Sequence, residues 1–183
     1  MSVLLLRTYP DPCLRIKTKP VKNFDRNLED IVKAMAEMMY LNQGIGLAAP
    51  QAGVGLDVIV VDVGEGICTF VNPVVLERSK KRSRMEEGCL SLPGVTVGVS
   101  RPEEVSVRAQ DERGKFFTRK FAGLAATAVQ HEIDHLSGKL IIDYLDPVRY
   151  FVATRRLRMS SPADKTKTCE VICHVGRKYN RSA

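Results

Sequence analysis

No stretch of this 183-residue chain approaches the roughly 18 consecutive apolar residues of a membrane-spanning helix, so no membrane role is expected. No secretory leader is expected either. The apolar run Val3 to Leu6 in MSVLLLRTYPDP is too short for a signal-peptide core, and Arg7 and Pro10 follow at once. Cysteine is sparse, odd in number and irregularly spaced, at Cys13, Cys68, Cys89, Cys169 and Cys173. Without a secretory context this pattern speaks for reduced thiols and against a disulfide framework. A cytoplasmic protein is expected. Internal repeats are absent. Histidine occurs three times only, so any pairing of two histidines carries information. Acidic residues are outnumbered 21 to 28 by Lys and Arg, giving a formal net charge of +7. That excess favours polyanionic partners, nucleic acid among them, but fits a basic enzyme surface equally well.

What is present is an ordinary globular balance of 44% apolar and 27% charged residues, in a length that suits one domain with its own core. Asp25 reads as a helix cap, and Leu28, Ile31, Val32, Met35, Met38 and Met39 then recur at helical spacing, the methionines as core filler. A Gly-rich turn, GIGLAAPQ, follows. Strands are expected at VIVVDV from Val58, CTFVNP from Cys68, VTVGV from Val95, VSVRA from Val105 and KFFTRKF from Lys115. SKKRSR from Ser79 reads as a basic loop and Asp111 to Gly114 as a hairpin turn. Leu124 to Leu136 reads as an apolar, buried helix. Asp146 caps a last helix with Pro147 at its first position, where a missing N–H costs nothing. Strands followed by a core helix predict an α+β domain, with antiparallel sheets packed around the helix. Residues 1–159 are read as that domain. Residues 160–183, polar and basic, are read as a flexible tail. Cys169, Cys173 and His174 in that tail are too few to make a convincing second metal site.

The sharpest chemical signal is HEIDH, His131 to His135. Helical positions i and i+4 share a face, so both imidazoles reach one metal ion, and Glu132 beside the first is placed to act as a base. The surrounding helix is apolar, where ionisable groups are costly unless paired or metal-bound. The bland alternative is two satisfied helix histidines. A third ligand must come from elsewhere. A His six residues beyond the second is excluded by Ile141, and the only later Glu is Glu170 in the tail. A thiolate suits Zn or Fe, and Cys89 stands in a distinctive setting, EEGCLSLPG, although a lone Cys is more often a small buried hydrophobe. GIGLAAPQ, Gly44 to Gln51, lacks the Gly-Lys-Ser/Thr end of a phosphate loop. Its glycines suit close approach of another backbone, or Gly44 simply closes the preceding helix. Gln51 offers two side-chain N–H donors.

Taken together, GIGLAAPQ, EGCLSLP and QHEIDH resemble the three ordered motifs of the peptide deformylase family, GxGLAAxQ, EGCxS and QHExDH. The likeness runs from the first residues to about Met159 and points to the bacterial catalytic group. Thr96 stands where relatives often carry an Arg, and the tail matches no family pattern.

The resemblance implies a hydrolase that removes the N-formyl group from the N-terminal methionine of new polypeptides. It implies one divalent metal held by Cys89, His131 and His135, natively Fe(II), with Zn, Ni or Co able to take its place. Glu132 would be the general base, with Gln51 and the backbone N–H of Leu90 stabilising the oxyanion. Ile45, Gly46 and Gly88 would present backbone groups to an extended peptide. Ile45, Met85, Leu124, Thr127 and Ala128 would form the methionine pocket. Glu87 and Arg101 would brace the Cys loop. N-formylmethionyl nascent peptides are the implied substrates and the ribosome the implied partner, reached through the basic C-terminal helix and tail. Two other classes stay open on the residues alone: an HExxH endopeptidase, and a non-catalytic RNA-binding module.

Overall fold

The computed structural model describes residues 3–160 and the pair Val171–Ile172. The expected tail otherwise lies outside the described residues, as do Cys169, Cys173 and His174.

Asp25 caps the first helix, α1 (Arg26–Leu41), its carboxylate accepting from Leu28 N at 3.1 Å. The three expected Met residues are fully buried on its inner face. Five strands form one antiparallel sheet in the order β2 (Gly46–Ala48), β3 (Val58–Val61), β4 (Cys68–Arg78), β7 (Glu104–Gln110), β8 (Phe116–Ala122). Strands β5 (Arg82–Gly88) and β6 (Thr96–Pro102) form a separate two-stranded hairpin, and β1 (Val3–Leu4) pairs with β9 (Val171–Ile172).

Alternation along β3 explains the layering. Val58 and Val60 pack into the cluster built on α1, while Ile59 and Val61 pack into the cluster built on α2 (Gly123–Leu136). A strand covered on both faces reads as an unbroken apolar run, and VIVV is one. Phe70 and Val71 of β4 divide between the same two clusters. The second helix therefore lies against the five-stranded sheet. The β5–β6 hairpin closes over it from the other side, with Val97 and Val99 packing on Leu140 to Ile142 and on Leu157 of the last helix, α3 (Pro147–Ser160). This is the expected α+β arrangement of antiparallel sheets around a central helix. Asp146 caps α3 as expected, accepting from Val148 N and Arg149 N.

Three expectations need correction. GIGLAAPQ is not a simple turn, since its middle residues form edge strand β2 and Ala49–Ala52 a 3-10 turn. SKKRSR is not a loop throughout: β4 runs on to Arg78 and β5 begins at Arg82, which leaves only a tight turn between them. Cross-strand pairing overrides the polar composition there, because Arg82 and Arg84 point outward where charge costs nothing. Gly44 is not itself the cap of α1. Asn42 is the cap, and Gln43 takes the left-handed conformation with φ 57°. Gly44 lies two residues beyond the cap, where its N–H still closes the helix on Met39 O at 2.9 Å, and it also serves close approach, for a Cβ there would lie 2.8 Å from Leu90 Cδ1.

Candidate metal centre and active site

His131 and His135 leave one face of α2 a single turn apart, their Nε2 atoms 3.2 Å from each other. Cys89, at the end of β5, brings its Sγ to 3.3 Å from His135 Nε2. The three donor atoms all lie within 4.8 Å of one another. Glu87 Oε2 lies 2.8 Å from His131 Nδ1, which fixes the proton on that nitrogen and turns the Nε2 lone pair toward the centre.

Electrostatics fit a cation. Burial lowers His135 well below its ordinary value. Burial also opposes charge on His131, but hydrogen bonds to Cys89 and Glu87 outweigh it and raise that group. The two convergent imidazole nitrogens and the Cys89 sulfur form a group that could hold a metal ion. Among the described residues, few buried side-chain polar atoms lack a hydrogen-bond partner, and Glu132 Oε2 and His135 Nδ1 are two of them. An unpartnered buried carboxylate oxygen beside three convergent ligands is an acceptor awaiting a donor. Burial pushes the Glu132 carboxyl up to about 7, with His131 and Arg101 pulling the other way. Gly46 makes room for it, since a Cβ at that position would strike the Glu132 carboxylate.

Gln51 is held in one orientation. Its Oε1 accepts from Ala48 N at 2.8 Å, and its Nε2 therefore points to Ser91 Oγ at 3.1 Å and Cys89 Sγ at 3.5 Å. Leu90 follows Cys89 and borders the same cleft. That cleft, of about 540 Å³, is also lined by Ile45, Gly46, Met85, Gly88, Leu124, Thr127 and Ala128. The substrate-binding set expected from sequence is thus brought together. Ile45 and Leu124 remain 44% and 51% exposed on the cleft wall, a position suited to covering an apolar ligand. Among the described residues, the cleft runs between two free sheet edges, because β2 ends the five-stranded sheet and β5 pairs with β6 alone.

Glu87 and Arg101 form a buried bidentate pair at 2.6 and 3.0 Å. Burial alone would raise the Glu87 carboxyl, but hydrogen bonds from His131 and Arg101 hold it below its ordinary value. The pair reaches further than the Cys loop. Arg101 Nη1 also bonds Asp134 Oδ2 at 2.8 Å, and Tyr144 donates to the same oxygen at 2.7 Å, so β6 is tied to α2 itself. Ser91, Asp134 and Tyr144 were not singled out from sequence. Asp134 was within reach, since it lies three positions after His131 in HEIDH.

A family model described as polypeptide deformylase matches residues 3–150. The peptide deformylase of Thermotoga maritima is 41% identical over 152 residues, covering 83% of this chain and 93% of the relative. Peptide deformylase 1 of Ralstonia nicotianae is 43% identical over 152 residues, covering 81% and 90%. Among solved structures, a peptide deformylase from Legionella pneumophila is 40% identical with a TM-score of 0.82, covering 86% of this chain and 95% of that one. The peptide deformylase of Ehrlichia chaffeensis in complex with actinonin has a TM-score of 0.85 at 33% identity, covering 88% and 99%. Matches of this extent set aside the endopeptidase and the RNA-binding module, and the chain belongs to the polypeptide deformylase family.

Proposed function

We propose that Cys89, His131 and His135 hold one divalent metal in this deformylase and that Glu132 moves the proton of the reaction. As a peptide deformylase the chain hydrolyses the formyl amide of N-formylmethionyl nascent peptides, giving formate and a free amino terminus. The observation that carries the assignment of roles is the convergence of three ligand atoms beside the unpartnered Glu132 carboxylate. When bound, the ion supplies a Lewis acid that lowers the pKa of water from about 15.7 to roughly 7 and polarises a carbonyl oxygen.

The chain's own groups account for the rest. Glu132 accepts a proton from water as its oxygen attacks the formyl carbon, and returns that proton to the amine nitrogen as the C–N bond breaks. Gln51 Nε2, held by Ala48, and the Leu90 N–H donate to the oxygen where negative charge develops. Losing one such donor costs about 2.7–4 kcal/mol of barrier. The free edges of β2 and β5 take the peptide as an added strand through Ile45, Gly46 and Gly88, and Met85, Leu124, Thr127 and Ala128 enclose the methionine side chain.

Fe(II) is the proposed native metal, supported by the motif resemblance. The Cys-His-His ligand set by itself favours Zn, and Ni or Co suits the same ligands. A cytoplasmic location follows from the substrate. No helix among the described residues is long and apolar enough to cross a membrane. The ribosome is the proposed partner, supported by the basic helix α3. Residues 1–159 are proposed as the catalytic unit and 160–183 as a basic appendage. The test is anaerobic purification, metal analysis, and formate release from a formyl-Met peptide. One equivalent of metal with formate release supports the reading, and formate release unchanged after complete chelation removes the metal from it.

A further inference from the structure

The cleft does not stop at the methionine pocket. Glu86, Gly94, Val95 and Thr96 at its outer end also line a second groove, of about 450 Å³. One wall of this groove is the outer face of the β5–β6 hairpin, and the other is α3 through Val148, Arg149, Val152 and Arg156. Residues 149, 152 and 156 follow helical spacing, so one face of α3 looks into the groove. Arg84 and Glu86 lie exposed across Gly98, where a Cβ would come within 2.8 Å of Arg84 Nη2 and 2.7 Å of Glu86 Oε1. Arg156 reaches over the junction, its Nη2 3.9 Å from where a Cβ on Gly94 would stand. The guanidinium groups of Arg84 and Arg149 thus face one lining carboxylate, Glu86. Asp146 lies 3.4 Å from Arg149, but both side chains are more than half exposed and the pair is weak.

Strand direction says what would enter. The chain runs inward through Ile45 to Gly46, where β2 begins, and β5 runs inward to end at Gly88. Gly46 abuts Glu132, and Gly88 precedes Cys89. A peptide whose formyl group meets Glu132 therefore leaves antiparallel to both strands, past Ile45 on one side and Gly88 and then Glu86 on the other. An extended chain advances about 3.3 Å per residue, so residues from about the fourth onward emerge over Glu86 and Thr96.

We propose that the groove between the β5–β6 hairpin and α3 extends the substrate site and selects acidic side chains at about the fourth to sixth residues of the formyl-peptide, with Arg84 and Arg149 as the specificity-determining residues. This rests on the deformylase reading of the cleft. The pairing is electrostatic and solvent-exposed, so it acts on KM, and salt weakens it.

The test compares formyl-Met-Ala-Ser hexapeptides ending in three Asp or three Lys, alongside formyl-Met-Ala, using the full-length, metal-loaded enzyme. At low salt the acidic peptide is expected to show a KM about five- to tenfold below the basic one at equal kcat, and the gap narrows in about 0.5 M salt. Arg84→Glu with Arg149→Glu should reverse the order while formyl-Met-Ala is turned over as before. Lys at both positions should keep the original preference. Equal KM values for the two hexapeptides in the unaltered enzyme, or a preference untouched by the double reversal, overturns the proposal. Failure to release formate from formyl-Met-Ala would instead sink the deformylase reading beneath it.

Discussion

Glu87 joins two structures that are distant in sequence. One of its carboxylate oxygens receives Arg101 Nε at 2.6 Å, and the other lies 2.8 Å from His131 Nδ1 while Arg101 Nη2 also reaches it at 3.0 Å. A guanidinium on β6 therefore sets the orientation of an imidazole on α2 through a carboxylate on β5. Replacing Glu87 with Gln removes the negative acceptor but keeps the shape. Metal affinity is expected to fall roughly 10- to 100-fold. Competition against a chelator of known affinity measures it, and an unchanged affinity would deny Glu87 this role. Arg101→Ala should instead cost about 3–5 kcal/mol of stability in denaturant unfolding, because it strands a buried carboxylate.

Glu132→Gln should keep the metal and lose turnover by at least about 10²-fold, since the amide cannot carry the proton. Metal content and formate release on the same preparation check both halves. Near-normal turnover would reassign the base.

The Cys13 thiol donates to the Pro50 carbonyl at 3.4 Å. Burial, then the Asp11 carboxylate beside it, pushes this thiol up to about 12. A group whose folded value exceeds its unfolded value stays protonated in the folded protein. Its contribution to stability is complete below about pH 8.5, the unfolded value, and is lost as pH rises toward 12. At pH 8 the folded protein should alkylate at Cys13 roughly a thousandfold more slowly than the unfolded chain. Mass mapping after a timed iodoacetamide pulse, with and without denaturant, reads this directly. Equal rates would contradict it.

Docking on ribosomal RNA predicts a steep salt dependence, because each neutralised phosphate releases counterions. On α3, Arg155 and Arg158 are exposed, and Phe151 and Met159 are exposed beside them at 64% and 72%. Charge reversal at Arg155 and Arg158 should weaken co-sedimentation with ribosomes at low salt more than truncation after Met159 does. Neither change should slow deformylation of a short peptide. Binding indifferent to salt and to both changes rejects the docking.

What the sequence determined by itself was local. The i, i+4 spacing places His131 and His135 on one face of any helix they share, and Glu132 comes with them. The caps Asp25 and Asp146 work through backbone groups within three residues. Buried β3 was legible because a strand covered on both faces needs no polar residue. The three ordered motifs carried the family and, with it, the expected ligand Cys89. Physical reading alone could not reach that far. Cys89 and His135 are 46 positions apart, and no local period encodes their contact. Strand β5 escaped for a related reason. Its inward residues include Glu87, whose charge is acceptable in the core only because Arg101 is waiting for it on the neighbouring strand. A buried ion pair hides the apolar alternation that marks a strand. The tertiary fold alone decided that β2 and β5 border one cleft beside Cys89, His131 and Glu132. It also brought α3 beside the hairpin to continue the cleft, since packing of whole elements, and not the preference of any segment, sets those distances.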